Sequence, residues 1–297
     1  MNTFFQKIFK RKAKEVSDLY DFRRIEVAEL DQYPDGIKNM QNREIDGFII
    51  KGALSIDEVK TIDAAARTLP SSQLEVHQHS KGFVYPRPFS NLGVEVKESS
   101  LFFGGLDKAR QGLPGVLGVD IEKRLFDLLG KMSGGRSVSA RSPLKDEGRC
   151  MPFSVRYLWP ETGVLEVHCG NLFHGSHSAF YDHIKDVNAY DQLSFIFMIQ
   201  PSESSDLILF DKEWVQGQYK KDFGQKFNFT DENGEDVDCS ENGIDRMTIR
   251  LEPGDFLTFT GGPIWHLVDE VKGEKGRITL GGFIGFSSND EQVYCWS

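Results

Sequence analysis

The sequence predicts a mainly β fold with supporting helices, its short strands packed as two facing sheets in a sandwich or jelly roll. Two observations carry this expectation. From about residue 152 apolar and polar residues alternate with period two in runs near 153–159, 164–169, 192–200, 206–210, 246–251, 255–260, 264–270 and 276–286, each closed by turn residues. A last run, Gln292-Val293-Tyr294-Cys295-Trp296, has the same character. The 297 residues also include 29 glycines and 23 phenylalanines, which suit turn-rich β structure better than a helix bundle.

The first half reads differently. Residues 15–50 are mixed and end in a short apolar strand, Asp46-Gly47-Phe48-Ile49-Ile50. Ser55 with Glu58 three positions later forms a capping box. A helix is expected from there to about Thr68, with Val59, Ile62 and Ala65 on one face and Pro70 as its stop. Residues 71–118 read as loop-rich, with Pro86, Pro88 and several glycines; His77-Gln78-His79 in this stretch reads as solvated loop. Val119-Asp120-Ile121-Glu122 opens a second helix with the stripe Ile121, Leu125, Leu128, Leu129 and Met132, ended by Gly134-Gly135. Residues 139–150 read as a polar loop. Residues 231–245 hold seven acidic residues. Asp231 and Asn233 fit a calcium loop, but Asp236 stands where its glycine must be, so a solvated insertion is expected. Nothing marks a linker. The expected organisation is one domain over 1–297, with 1–150 as a helix-rich supporting part and 151–297 as the jelly-roll core.

Composition excludes several classes. A net charge of −10 provides little basic surface for nucleic acid. The four cysteines, Cys150, Cys169, Cys239 and Cys295, form no CxxC pair, which fits reduced thiols in a cytoplasmic protein. No apolar run is long enough to span a bilayer. The first residues place apolar side chains on one helical face beside Lys7, Lys10, Arg11, Lys12 and Lys14, without the long apolar core of a signal peptide. Contact with a membrane surface or partner and a frayed solvated helix both fit that pattern.

The chemistry-bearing residues gather in the β-rich half. His168 lies in the alternating run Leu165-Glu166-Val167-His168-Cys169-Gly170-Asn171. Strand alternation turns His168 and Gly170 one way and Cys169 the other, which puts Cys169 behind the site. His266 follows Gly261-Gly262-Pro263-Ile264-Trp265, a turn leading into another such run. Arg277 comes eleven positions later and shares a strand face with Thr279; an arginine fork beside a hydroxyl suits a carboxylate. A lone strand histidine is equally a hydrogen-bonded core residue. The spacing, strand context and arginine together point to a site.

This set resembles the Fe(II)/2-oxoglutarate-dependent oxygenase superfamily. Within it, the set resembles the freestanding aliphatic halogenases of hapalindole- and welwitindolinone-type alkaloid biosynthesis. The segments that carry the closer resemblance are Val167-His168-Cys169-Gly170-Asn171, Asp191-Gln192-Leu193-Ser194, Glu213-Trp214, Gly281-Gly282-Phe283 and Tyr294-Cys295-Trp296-Ser297, with Tyr33-Pro34 and Asp46–Gly52 near the other end. The resemblance implies a double-stranded β-helix, a cupin-like jelly-roll core. It implies Fe(II) on His168 and His266, and 2-oxoglutarate on Arg277 and Thr279. For Arg156, a place near 2-oxoglutarate or the halide and a surface ion pair both stay open.

The departure from the oxygenase pattern is Gly170, which stands where a carboxylate ligand completes the usual facial triad. In the halogenases chloride (or bromide) binds in that place, so Gly170 marks the expected halide position. Two neutral imidazoles leave Fe(II) four open positions: two for 2-oxoglutarate, one for halide and one for O2. The implied activity is halogenation of an unactivated aliphatic carbon of a freestanding small molecule, by ferryl hydrogen abstraction and halide rebound. Ser194 is the candidate for steering the oxidant. Phe173, His174 and His177 are candidates for the substrate pocket, and Phe83, Tyr85 and Phe89 for its entrance or for the core. A Gly170→Asp change is expected to restore the triad and abolish halogenation. The rivals are a hydroxylase on the same scaffold and a non-catalytic jelly-roll binding module. No carrier protein, nucleic acid or integral membrane association is expected.

Overall fold

The computed structural model describes residues 19–69, 74–77, 80–86, 99–141, 149–171, 187–188, 190–214, 228–230, 236–238 and 244–297. In chain order the elements are β1 (Phe22–Glu26), a 3-10 turn (Val27–Gln32), α1 (Gly36–Gln41), β2 (Gly47–Lys51), α2 (Ile56–Ala66), β3 (Glu75–His77), β4 (Gly82–Tyr85), α3 (Ser99–Leu117), α4 (Ile121–Met132) and β5 (Ser137–Ala140). There follow β6 (Ser154–Leu158), β7 (Leu165–His168), β8 (Leu193–Gln200), β9 (Leu207–Glu213), β10 (Asn228–Thr230), β11 (Asp236–Asp238), β12 (Arg246–Ile249), β13 (Phe256–Phe259), β14 (Ile264–Val268), β15 (Arg277–Phe286) and β16 (Gln292–Trp296). The basic segment 1–18 lies outside the described residues. Among those described, no helix is long and apolar enough to cross a membrane.

Two helices form where their signals stand. At the start of α2 the Ser55 hydroxyl accepts from the Glu58 N–H, and the Glu58 carboxylate accepts from the Ser55 N–H. A cap of this kind contributes about 1 kcal/mol. Asp120 caps α4 by accepting from the Lys123 N–H, and the whole stripe Ile121, Leu125, Leu128, Leu129 and Met132 is buried. The stretch 71–118 departs from its loop-rich reading, since it contains β3, β4 and the 19-residue α3. Gly104, Gly105, Gly112, Pro114 and Gly115 punctuate α3 and hide its periodicity in the sequence. Leu106, Leu113 and Leu117 are nonetheless buried at helical spacing, and α3 packs on α2. Each such leucine contributes about 2 kcal/mol by leaving water, which together exceeds the roughly 3 kcal/mol cost of an interior proline.

Two sheets face each other. The smaller has the antiparallel order β12-β9-β14-β7. The larger has ten strands, β1-β2-β13-β8-β15-β6-β4-β3, with β16 on β15 and β5 on β16. It includes β1 to β5, so the first half, which carries α1 to α4, also supplies half the strands of the larger sheet. The acidic insertion is not wholly loop either, because β11 within it pairs with β10 as a hairpin; Asp231 and Asn233 lie outside the described residues.

Strand alternation sorts the side chains into three layers. Phe48, Phe195, Phe197, Phe256, Ile278 and Leu280 of the larger sheet pack with Ile62 of α2 and Leu125 and Leu129 of α4. On the other face of the same strands, Ile49, Leu158, Met198, Leu257 and Phe259 pack on Leu207, Leu209, Ile264 and Val268 of the smaller sheet. The outer face of the smaller sheet carries Val167, Cys169, Phe210, Trp265 and Leu267. Tyr85 joins the helix-side core and the half-buried Phe83 packs against it. Cys150, Cys169 and Cys295 are buried.

Candidate active site between the two sheets

Because Val167 and Trp265 face outward, His168 and His266 turn inward from adjacent strands of the smaller sheet. They are direct register partners, with ring centroids 4.3 Å apart. Each ring places Nδ1 2.7 Å from a carbonyl two residues earlier in its own strand, Glu166 for His168 and Ile264 for His266. A carbonyl only accepts, so each Nδ1 carries the proton and each Nε2 carries the lone pair. His266 is buried and meets the edge of Phe259 from the larger sheet, with centroids 5.1 Å apart. Burial pushes its pKa down to about 4, against the opposing effect of the Ile264 carbonyl, so it is neutral at ordinary pH. Two imidazoles, in their neutral forms, are a donor set that fits Fe(II). Among the described residues no third His, Cys, Asp or Glu completes a metal-binding cluster with them.

The third place beside the histidines is a glycine junction. The Gly170 and Asn171 N–H groups donate to the Gly261 and Gly262 carbonyls at 2.8 and 2.9 Å, and Gly262 N–H donates to the Gln192 carbonyl at 3.1 Å. The missing Cβ atoms make room for side chains from β8 and the residue before it. A Cβ on residue 170 would run into the Gln192 carboxamide nitrogen and lie 2.9 Å from its Cδ. A Cβ on residue 261 would run into the Ser194 hydroxyl. Gln192 and Ser194 are both buried, and Gln192 is only 3% exposed. Ser194 faces between the sheets because Phe195 faces the helices. Asn171 is buried too, and its Oδ1 has no hydrogen-bond partner among the described residues.

The larger sheet supplies the cations. Ile278 and Leu280 point to the helices, so Arg277 and Thr279 point between the sheets, both buried. Arg156 is the direct register partner of Thr279 on β6 and lies diagonal to Arg277. Arg277 lines a small cavity with Met198, Ser205 and Asp206, and its Nε has no hydrogen-bond partner among the described residues. Burial, and then repulsion from Arg156, push the Arg277 pKa down to about 9, while Asp206 pulls it back. Burial also lowers the pKa of Arg156, which makes no ion pair among the described residues, against the surface ion-pair reading. A buried Arg277 guanidinium with the half-buried Arg156 diagonal to it fits a carboxylate ligand, whose charge offsets both.

The structure thus brings His168 and His266 together, sets Gly170 at a junction with Gln192 and Ser194, and gathers Arg277, Thr279 and Arg156 on the facing sheet. Phe173, His174, His177 and Phe89 lie outside the described residues. Gln192 and Asn171 were given no role from sequence. Gln192 sits two positions before Ser194, so strand alternation alone would have placed the two on one face.

The arrangement of sheets and site defines a class: the chain is a member of the Fe(II)/2-oxoglutarate oxygenase superfamily, with its double-stranded β-helix. Its fold is similar to the crystal structure of an N-substituted L-amino acid dioxygenase from Burkholderia ambifaria AMMD. That likeness has 13% identity, covers 87% of this chain and 89% of that one, and has a TM-score of 0.53. The dioxygenase in complex with alpha-ketoglutarate gives the same identity and coverage with a TM-score of 0.51. No curated protein matches the chain in sequence. The family model for the carrier-protein-independent halogenase WelO5 matches residues 19–297, and the chain belongs to that family.

Proposed function

We propose that the protein is an Fe(II)- and 2-oxoglutarate-dependent halogenase that chlorinates (or brominates) an unactivated aliphatic carbon of a freestanding small molecule. The observation that carries this reading is Gly170 beside the paired imidazoles, where no side chain of residue 170 is available as a third ligand. His168 and His266 hold iron through Nε2. Arg277 and Thr279 receive the distal carboxylate of 2-oxoglutarate, and Arg156 adds a second positive charge to that end of the site. The Ser194 hydroxyl, seated over Gly261, would offer a hydrogen bond on the oxidant side of the site. Iron with 2-oxoglutarate, O2 and halide supplies the oxidant that removes a hydrogen atom from carbon and the halogen that replaces it. The family description, carrier-protein-independent, supports a free substrate. Residues 1–297 act as one unit in this reading, supported by a larger sheet that draws on both halves of the chain.

The test has two stages. Anaerobic protein given Fe(II) and then 2-oxoglutarate develops the visible charge-transfer band of the chelate, and chloride shifts it. Turnover with a freestanding indole alkaloid in saturating chloride then gives a chlorinated product by mass spectrometry. A product carrying only oxygen assigns the protein as a hydroxylase on the same scaffold, and failure to form the band assigns it as a binding module.

A further inference from the structure

The absence of a carboxylate at residue 170 does not leave an open hole. The direction a side chain would take from Gly170 runs into the carboxamide nitrogen of Gln192. Gln192 is 3% exposed, and its carboxamide makes no hydrogen bond to the described residues; only its main-chain carbonyl is engaged, by Gly262 N–H. An amide N–H with no acceptor among the described residues is free to donate to a ligand that accepts from it. The amide nitrogen carries two donors and no charge. A donor without charge suits an anion held beside a cationic centre, because it stabilises the anion without competing for the metal as a carboxylate does.

We propose that Gln192 is the residue that holds the halide. Its Nε2–H donates to the anion at the ligand position that a carboxylate at residue 170 would otherwise take, while the amide itself fills the space next to Gly170. This inference rests on the halogenase reading above and adds to it the protein group that binds the anion. Gln192 is a binding and positioning residue. It takes no part in breaking the C–H bond.

The experiment reads halide binding without turnover. Anaerobic holoprotein with Fe(II) and 2-oxoglutarate is titrated with sodium chloride, and the shift of the charge-transfer band gives a chloride Kd. Gln192→Leu removes the donor and leaves a branched apolar side chain one bond shorter, and its chloride Kd rises tenfold or more. The affinities for Fe(II) and 2-oxoglutarate stay within about twofold of the parent's, by contrast with a purely structural lesion, which weakens all three. Gln192→Glu sets a negative charge at the same point, so its band forms and no longer responds to chloride. A Gln192→Leu protein that binds chloride as the parent does, or a Gln192→Glu protein whose band still shifts, overturns the assignment. If the parent forms no band, or forms one that ignores chloride, the halogenase reading itself fails and takes this inference with it.

Discussion

His168 and His266 face each other across β7 and β14 with ring centroids 4.3 Å apart, and each donates Nδ1–H to a carbonyl of its own strand at 2.7 Å. The same local bond therefore sets the same tautomer in both rings when they are neutral. An outer-shell partner lost from such a site costs about 10- to 100-fold in metal affinity. Removal of a ring itself costs more: His168→Ala or His266→Ala loses Fe(II) binding in anaerobic titration by more than about a hundredfold. Because the two rings act as a unit, the double variant is no worse than either single one.

His266 also gives the metal-free protein a pH dependence. Burial lowers its pKa from 6.5 to about 4 in the folded chain. The unfolded chain therefore takes up a proton first as pH falls. The contribution to stability is complete above the unfolded value and is lost progressively between 6.5 and about 4, reaching about 3 kcal/mol. Denaturant unfolding of the metal-free protein at a series of pH values measures it. His266→Gln, neutral throughout, flattens the profile in that window. A parent whose stability does not fall there contradicts the argument.

Arg277 has a buried Nε without a partner among the described residues and a second guanidinium, Arg156, repelling it from β6. An anion that bridges to this pair relieves an existing cost, so loss of Arg277 is expensive. Arg277→Ala raises the 2-oxoglutarate Kd by about 30-fold or more, from the roughly 2–5 kcal/mol that truncating a buried charge pair costs. Arg277→Lys recovers only part of it, since the charge returns without the fork. Thr279→Val removes one neutral hydrogen bond and costs about fivefold. Isothermal titration of the anaerobic Fe(II) protein gives all three values. A Kd that Arg277→Ala leaves unchanged assigns the co-substrate to another place.

Most of this site could be read before the fold because its residues lie in alternating strands. His168, His266, Arg277 and Thr279 each sit in a run whose neighbours declare the face: Val167 and Trp265 pack outward, and Ile278 and Leu280 pack on the helices. The same rule set Cys169 behind the site, where it packs with Phe210 and Trp265. What the sequence hid depends on pairing at a distance. The addition of β1 and β2 beside β13 and of β4 beside β6 has no local signal, because Phe48 meets Thr258, and Val84 meets Arg156, only in the folded chain. The helix α3 was obscured by its own glycines and Pro114. Gln192 was missed for a related reason. Its importance comes from the space left at Gly170, 22 residues earlier, and a missing Cβ has no pattern of its own to follow.

That contact changes what Gly170→Asp does. Taken from sequence, the substitution simply restores a third ligand. In the fold its Cβ overlaps the Gln192 carboxamide, and Gly262 Cα stands 3.2 Å away on another side. The far end of Gln192 must swing aside in a packed interior, at about 1–3 kcal/mol. The single variant therefore melts at a lower temperature than the parent and loses halogenation, since the carboxylate and the displaced amide both disturb the anion's place. Gly170→Asp combined with Gln192→Ala relieves the overlap. The double variant recovers thermal stability relative to Gly170→Asp, binds Fe(II) at least as tightly as the parent, and shows no chloride shift of its charge-transfer band. Its product, if the substrate is turned over, carries oxygen and no halogen by mass spectrometry. The melting temperatures test the packing argument by themselves: if Gly170→Asp is as stable as the parent and Gln192→Ala adds nothing to it, the amide does not fill that space.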